Sequence, residues 1–156
     1  MRVPHKALVL VADGRKMQLL RNDGTPDEPA LMVERSEEHP NPSDRDHKSD
    51  AAGRAIAMQS GAGGRSAPTR ASAMEETDFH QQEEDLFAAH AAEMLDRVSA
   101  VDSDAALIVI APPRTLGVLR RHYGRKVAAR LMAEVDKDLT RLEPHELAEA
   151  LLRLPD

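Results

Sequence analysis

The sequence predicts an α/β domain built on a mixed five-stranded sheet of strand order 3-2-1-4-5, with helices on both faces. Three observations carry this prediction. Two short runs, at 7–12 and 105–111, are apolar throughout, as strands buried on both faces are. The first run meets a turn signal and then an alternating segment, as in a hairpin. The second half of the chain alternates helical and strand patterns, as βαβ units do.

Residues 6–13, Lys-Ala-Leu-Val-Leu-Val-Ala-Asp, form the first strand. Asp13-Gly14 then marks a tight turn in which both positions favour positive φ. Residues 15–21 form the second strand. There Lys16, Gln18 and Leu20 alternate with Met17, Leu19 and Arg21, which predicts one covered face and one wetter face. A turn over Asn22-Asp-Gly-Thr-Pro26 leads to a third strand at 30–35, completing an antiparallel meander. Residues 36–73 are rich in Ser, Gly, Asp, Arg and Pro and poor in large apolar residues, which predicts a long flexible loop.

A helix is predicted over 77–98. Acidic residues crowd its first turns, which suits the helix dipole. Phe79, Leu86, Phe87, His90, Met94, Leu95 and Val98 recur at helical spacing and predict a buried stripe. The central strand at 105–111 ends at Pro112-Pro113. Residues 114–123 read as a short helix with Leu116 and Leu119 inward. Residues 130–138 read as a strand by alternation, although their composition also suits a helix. Pro144 opens a last helix to Leu154, with Leu147, Leu151 and Leu154 inward. A meander followed by two right-handed crossovers is the ribonuclease-H-like arrangement. Residues 1–156 read as one domain.

Composition narrows the function classes. The 156 residues include no cysteine, which excludes disulfides and thiolate metal sites. The N-terminal residues lack signal-peptide organisation, and the apolar run after them is too short to span a bilayer. The expectation is a cytoplasmic protein that does not engage a membrane. With 21 basic and 27 acidic residues the net charge is -6, so the chain as a whole is not drawn to nucleic acid. Phe79, Phe87 and Tyr123 are its only aromatics, too few for a base-stacking platform.

Four candidates for metal or carboxylate chemistry each favour a plainer reading. Asp13 lies where ribonuclease-H-like nucleases hold a metal carboxylate, but two-metal chemistry needs a second acid and residues 105–111 carry none. His145-Glu-Leu-Ala-Glu149 is half of a zinc-protease motif with the second histidine missing. His80 and His90 point about 80° apart and sit roughly 15 Å apart along one helix, so they cannot share a metal. His39 and His47, with Asp44 and Asp46, are a loose metal set in a polar loop. No metal and no cofactor is expected.

The dense basic stretch is Arg114, Arg120, Arg121, His122, Arg125, Lys126 and Arg130. In an otherwise acidic chain it is the candidate anion or RNA surface, and its expected binding residues are Arg114, Arg120, Arg121, Arg125 and Lys126. Gly61-Ala-Gly-Gly-Arg65 is the candidate functional loop.

Several segments resemble a known family. They are Val9-Leu-Val-Ala-Asp-Gly14, Ile108-Val-Ile-Ala-Pro-Pro-Arg-Thr-Leu-Gly117, Ala133-Glu-Val-Asp-Lys-Asp-Leu-Thr140 and Pro144-His-Glu-Leu147. Together they resemble the host-attachment proteins, bacterial relatives of the archaeo-eukaryotic peptide-chain release factors. The resemblance covers almost the whole chain, and the second and third segments are its more specific parts. It implies a fold like the release factors' middle domain and a ribosome- or tRNA-related role. That middle domain carries a Gly-Gly-Gln loop followed by Ser-Ala and a long helix. Here Gly63-Gly64-Arg65-Ser66-Ala67 stands in the similar place, with Arg65 for the glutamine. Arginine is a permanently charged donor with no acceptor, so it cannot place a hydrolytic water as the glutamine does.

The leading expectation is therefore a non-enzymatic, release-factor-like binding protein whose partner is the ribosome, tRNA or another RNA. It would dock through the basic stretch at 114–130 and reach with the mobile loop at 61–70. One rival is a hydrolase of an ester such as peptidyl-tRNA, using Gly63, Gly64 and Arg65; it needs a positioned base or metal cluster. The other is an attachment or surface-interaction protein, which needs an export route.

Overall fold

The computed structural model describes residues 1–39, 69–101 and 104–156, with side chains in the second stretch from Thr77 onward. Its strands are β1 (Leu8–Ala12), β2 (Lys16–Asn22), β3 (Leu31–Glu38), β4 (Leu107–Ile110) and β5 (Leu131–Val135). Its helices are α1 (Thr69–Val101), α2 (Pro113–His122), α3 (Arg125–Arg130) and α4 (Pro144–Leu152). The sheet order is β3-β2-β1-β4-β5. β1 pairs antiparallel with β2 and parallel with β4, and β5 extends the parallel half beside β4. The predicted order and the central parallel pair are thus present.

Every residue of β1 and β4 is buried. Alternation sends Leu8, Leu10, Leu107 and Val109 to one face. There they meet Phe87, Ala91 and Leu95 of α1, Leu116 and Leu119 of α2, and Val127 of α3. Val9, Val11, Ile108 and Ile110 face the other way, toward Val3 and toward Leu147 and Leu151 of α4. Each such side chain contributes about 1.5–3 kcal/mol when fully removed from water. α4 is held at its start by reciprocal bonds between Glu143 and Glu146, a capping box.

Several local expectations are corrected. Among the described residues no glycine has positive φ, so the β1–β2 turn is not the mirror-image type. Its central residues are Gly14 and Arg15, closed by an Asp13 N–H bond to Lys16 O of 2.9 Å. Asp13 Oδ1 accepts from the N–H groups of Arg15 (2.7 Å) and Lys16 (2.8 Å), which stabilises the turn through its side chain instead. Gly14 is needed for space: a Cβ there would stand 2.7 Å from Cβ of Glu84.

In β2 the alternation holds for Met17 and Leu19, but Leu20 and Asn22 are buried as well. Val3 and Leu31 cover that side, so the wetter face survives only near Lys16 and Gln18. β3 runs on to Glu38, beyond the expected end at Arg35, because its backbone keeps pairing with β2 as far as Lys16. Its charged, exposed side chains suit an edge strand and hide it from a hydrophobic pattern.

α1 begins at Thr69, inside the segment expected to be loop at 36–73; residues 40–68 of that segment lie outside the described residues. The expected stripe is also narrower. Phe87, Met94 and Leu95 are buried, but Phe79 is 48% exposed and Leu86 69% exposed. Ala88, Ala91 and Ala92 complete the buried face instead, and their small size lets the helix lie close to the sheet. Residues 125–130, preceding the expected strand at 130–138, are the short helix α3, and β5 spans only five residues. Helix-favouring Arg, Lys and Ala form a six-residue helix there, anchored by buried Val127. α4 ends at Leu152, and Leu154 packs beyond it against the second core.

Asn22 is the buried polar hub of the fold. Its amide nitrogen donates to the carbonyls of Val3 (2.8 Å), Pro4 (3.2 Å) and Thr25 (3.3 Å). Its oxygen accepts from the N–H groups of Gly24 (2.8 Å) and Ala30 (2.9 Å). Asn22→Asp would aim a carboxylate at three carbonyl oxygens. We expect it to destabilise the protein by more than about 2 kcal/mol at neutral pH. Burial raises a carboxyl pKa above its unfolded value of about 3.9. The deficit is therefore smallest below that pH and grows as pH rises toward the folded pKa. Urea unfolding at acid and neutral pH measures this, and parent-like stability at neutral pH would refute it.

Candidate functional site

Because the two central strands carry only apolar side chains, polar groups collect beyond their C-terminal ends, where open α/β sheets bind ligands. Asp13 follows β1, and Pro112 to Thr115 follow β4. The Thr140 hydroxyl lies 3.1 Å from Asp13 Oδ2 and 2.7 Å from Asp138 Oδ1, joining the segment after β5 to the same edge. A cleft of about 340 Å³ opens here, with Asp13, Arg15, Glu84, Arg114 and Thr115 in its lining. Glu84 of α1 pairs with Arg15 at 3.5 Å, and Asp85 pairs with Arg114 at 3.3 Å. α1 therefore holds both guanidiniums of the cleft in place.

Asp13 sits here as a turn residue whose two oxygens accept from Arg15, Lys16 and Thr140. β4 offers no carboxylate opposite it. Among the described residues no group of three His, Asp or Glu side chains is placed to hold a metal. His39 is instead drawn to α1. Its Nε2 lies 2.7 Å from Glu83, and its ring stacks on Phe87 at 5.9 Å. His47, Asp44 and Asp46 lie outside the described residues. His90 faces Glu37 at 3.3 Å, and His145 is exposed at the start of α4. Gly63, Gly64 and Arg65 also lie outside the described residues.

The basic stretch occupies α2, α3 and the turn between them. Leu116 and Leu119 face the core, which turns Arg120 and Arg121 outward. Cations at the end of α2 also suit its negative dipole end. Its five expected binding residues are not equivalent. Arg114 is paired with Asp85, and Arg120 is paired at 3.0 Å with Glu134 of β5. Arg121, Arg125 and Lys126 are exposed and make no ion pair with another described residue. Arg130 donates to the carbonyl of Ser99 at 3.1 Å.

Glu134, Glu84, Asp85 and Thr115 escaped the sequence reading. The partners of the three acids lie between 14 and 69 residues away along the chain. Glu134 could have been suspected from its place on a strand beside a cation-bearing helix. It accepts from both Arg120 and the Tyr123 hydroxyl, the latter at 3.3 Å. Burial first, and the Glu134 carboxylate second, push the Tyr123 phenol far above its ordinary range. The hydrogen bond to Glu134, followed by its charge, raises the Arg120 pKa.

A family model described as bacterial archaeo-eukaryotic release factor family 12 matches residues 6–151. No curated protein matches the chain significantly.

Tyr123 is the only tyrosine and the chain has no tryptophan, so tyrosinate absorbance reports this one group. Its titration midpoint should lie well above the usual value of about 10. Glu134→Gln should lower the midpoint without restoring it, since burial is the larger cause. The raised folded pKa contributes stability that is complete below the unfolded pKa of about 10 and is lost as pH rises through the folded one. A midpoint near 10 while circular dichroism still shows folded protein would contradict the buried pairing.

Proposed function

This chain belongs to bacterial archaeo-eukaryotic release factor family 12, and from that premise we propose that it is a non-enzymatic, cytoplasmic binding protein that docks on the ribosome or another RNA-containing partner. One observation carries the reading. Arg121, Arg125 and Lys126 project from the α2–α3 corner of an acidic protein, without ion pairs to other described residues. Three cations on one corner attract phosphates even where net charge is negative. Aromatic stacking contributes little, because Phe87 is buried, Tyr123 is half-buried against Glu134, and Phe79 alone is well exposed, too few for a stacking platform. Recognition would rest on phosphate contacts, which position a partner without reading its sequence. Arg114 and Arg120 have charges already offset by Asp85 and Glu134, so they add little to the field of this corner.

The triple variant Arg121→Ala, Arg125→Ala, Lys126→Ala tests the reading. Its stability should stay within about 0.5 kcal/mol of the parent, since exposed charges contribute little. Its binding should weaken, and the dependence of log affinity on log salt should flatten by about 0.7–0.9 for each phosphate no longer neutralised. Co-sedimentation with ribosomes across a salt series measures both. No co-sedimentation of the parent, or an unaltered salt slope in the variant, would sink the proposal.

A further inference from the structure

We infer that the cleft at the C-terminal ends of β1 and β4 binds the phosphoryl group of a small phosphate monoester. The inference does not rest on the basic corner. Two independent observations carry it, and the first is the start of α2. This ten-residue helix begins at Pro113 with Pro112 as its N-cap, and no side chain caps it. Leu116 N–H reaches Pro112 O at 2.9 Å. The N–H groups of Arg114 and Thr115 before it bond no described residue, leaving two donors at the positive end of the helix dipole.

The second observation is Thr115 itself. Thr115 is among the residues lining the cleft, it is only 8% exposed, and its hydroxyl makes no hydrogen bond with another described residue. A buried hydroxyl is costly to leave without a partner. The cleft is where that partner would sit.

The ligand class follows from what is left unsatisfied. Two N–H groups and a hydroxyl can all donate, and two guanidiniums stand on the cleft walls. Arg15 and Arg114 hold their carboxylates at 3.5 and 3.3 Å, and each guanidinium has five N–H donors. A phosphoryl group presents three terminal oxygens in a tetrahedral spread, which meets converging donors better than a planar carboxylate. The cleft, at about 340 Å³, has room for more than the phosphoryl group, which favours an ester over the free ion. Glu84 and Asp85 offset the guanidinium charges and Asp13 adds a further carboxylate to the lining, so the attraction comes from aimed donors and not from net charge. Affinity is accordingly modest, on the order of millimolar.

Calorimetric titration with inorganic phosphate and with adenosine monophosphate, at constant ionic strength, tests this on the full chain. Both probes should bind the parent and raise its melting temperature. Thr115→Val should weaken binding by about tenfold, while the melting temperature without ligand stays equal or rises, because an unpartnered hydroxyl is gone. Arg114→Gln should also weaken binding, and it keeps the test alive if the valine variant folds poorly. The triple variant at Arg121, Arg125 and Lys126 should bind both probes as the parent does, which separates this site from the RNA-docking corner. Tighter binding of the nucleotide than of phosphate would support an ester as the ligand. Absence of binding by either probe, preference for the free ion, or binding unaffected by both cleft variants would overturn the inference.

Discussion

The parallel pairing of β1 with β4 is the constraint on which the remaining structure depends. Nine residues in two adjacent strands are buried on both faces, so both faces must be covered. α1, α2 and α3 cover one face, and α4 with the N-terminal segment covers the other. A strand pair of this kind has no place for a charged group, because an unpaired buried charge would cost several kcal/mol. Polar chemistry is therefore displaced to the strand ends and the outer helix surfaces. Both candidate sites lie there, one at the C-terminal edge and one at the α2–α3 corner.

α1 organises the charges that this displacement leaves outside. Three consecutive acids engage three different parts of the fold: Glu83 meets His39 after β3, Glu84 meets Arg15 in the β1–β2 turn, and Asp85 meets Arg114 at the start of α2. Farther along the helix, Asp96 accepts from the N–H of Gly124 before α3 at 2.9 Å. Pairs exposed to this degree contribute little each to stability. What they do is position. They fix two arginines on the walls of the edge cleft, and Glu134 likewise fixes Arg120. Of the cations without ion pairs to described residues, Arg121, Arg125 and Lys126 cluster at the α2–α3 corner, while Lys16, Arg35, Arg97, Lys137 and Arg141 are spread over other elements. A chain of net charge -6 can in this way present a locally basic surface.

Family membership and geometry fit together in a limited way. The matched region runs from residue 6 to residue 151, so it takes in the five-stranded sheet and nearly all of the described helices. Membership speaks for the fold, and the activity has to be argued from surfaces. The edge cleft and the basic corner lie at opposite ends of α2, which carries Arg114 and Thr115 in its first turn and Arg121 in its last. One short helix thus joins a pocket of aimed donors to a surface of unpaired charge.

The sequence by itself determined the layers and the strand order, because continuous burial, alternation and turn signals are local patterns. β1, β4, the hairpin at Asp13 and Gly14 and the inward Leu116 and Leu119 were all legible in this way. It misplaced elements where local pattern and tertiary context diverge. β3 runs to Glu38 because its backbone pairs with β2, whatever its side chains. α3 forms as a short six-residue helix because Val127 is anchored in the core, and Leu86 lies outside the stripe because Ala88, Ala91 and Ala92 make up the face of α1 that meets the sheet. Only the tertiary structure decided which basic residues are paired and which are not. The partners Arg15 and Glu84 are far apart in sequence, as are Arg114 and Asp85, and packing alone brings each pair together. The same holds for the buried Thr115 hydroxyl: a threonine in a first helical turn is ordinary by sequence. It becomes a candidate ligand group because packing buries it at the wall of the cleft.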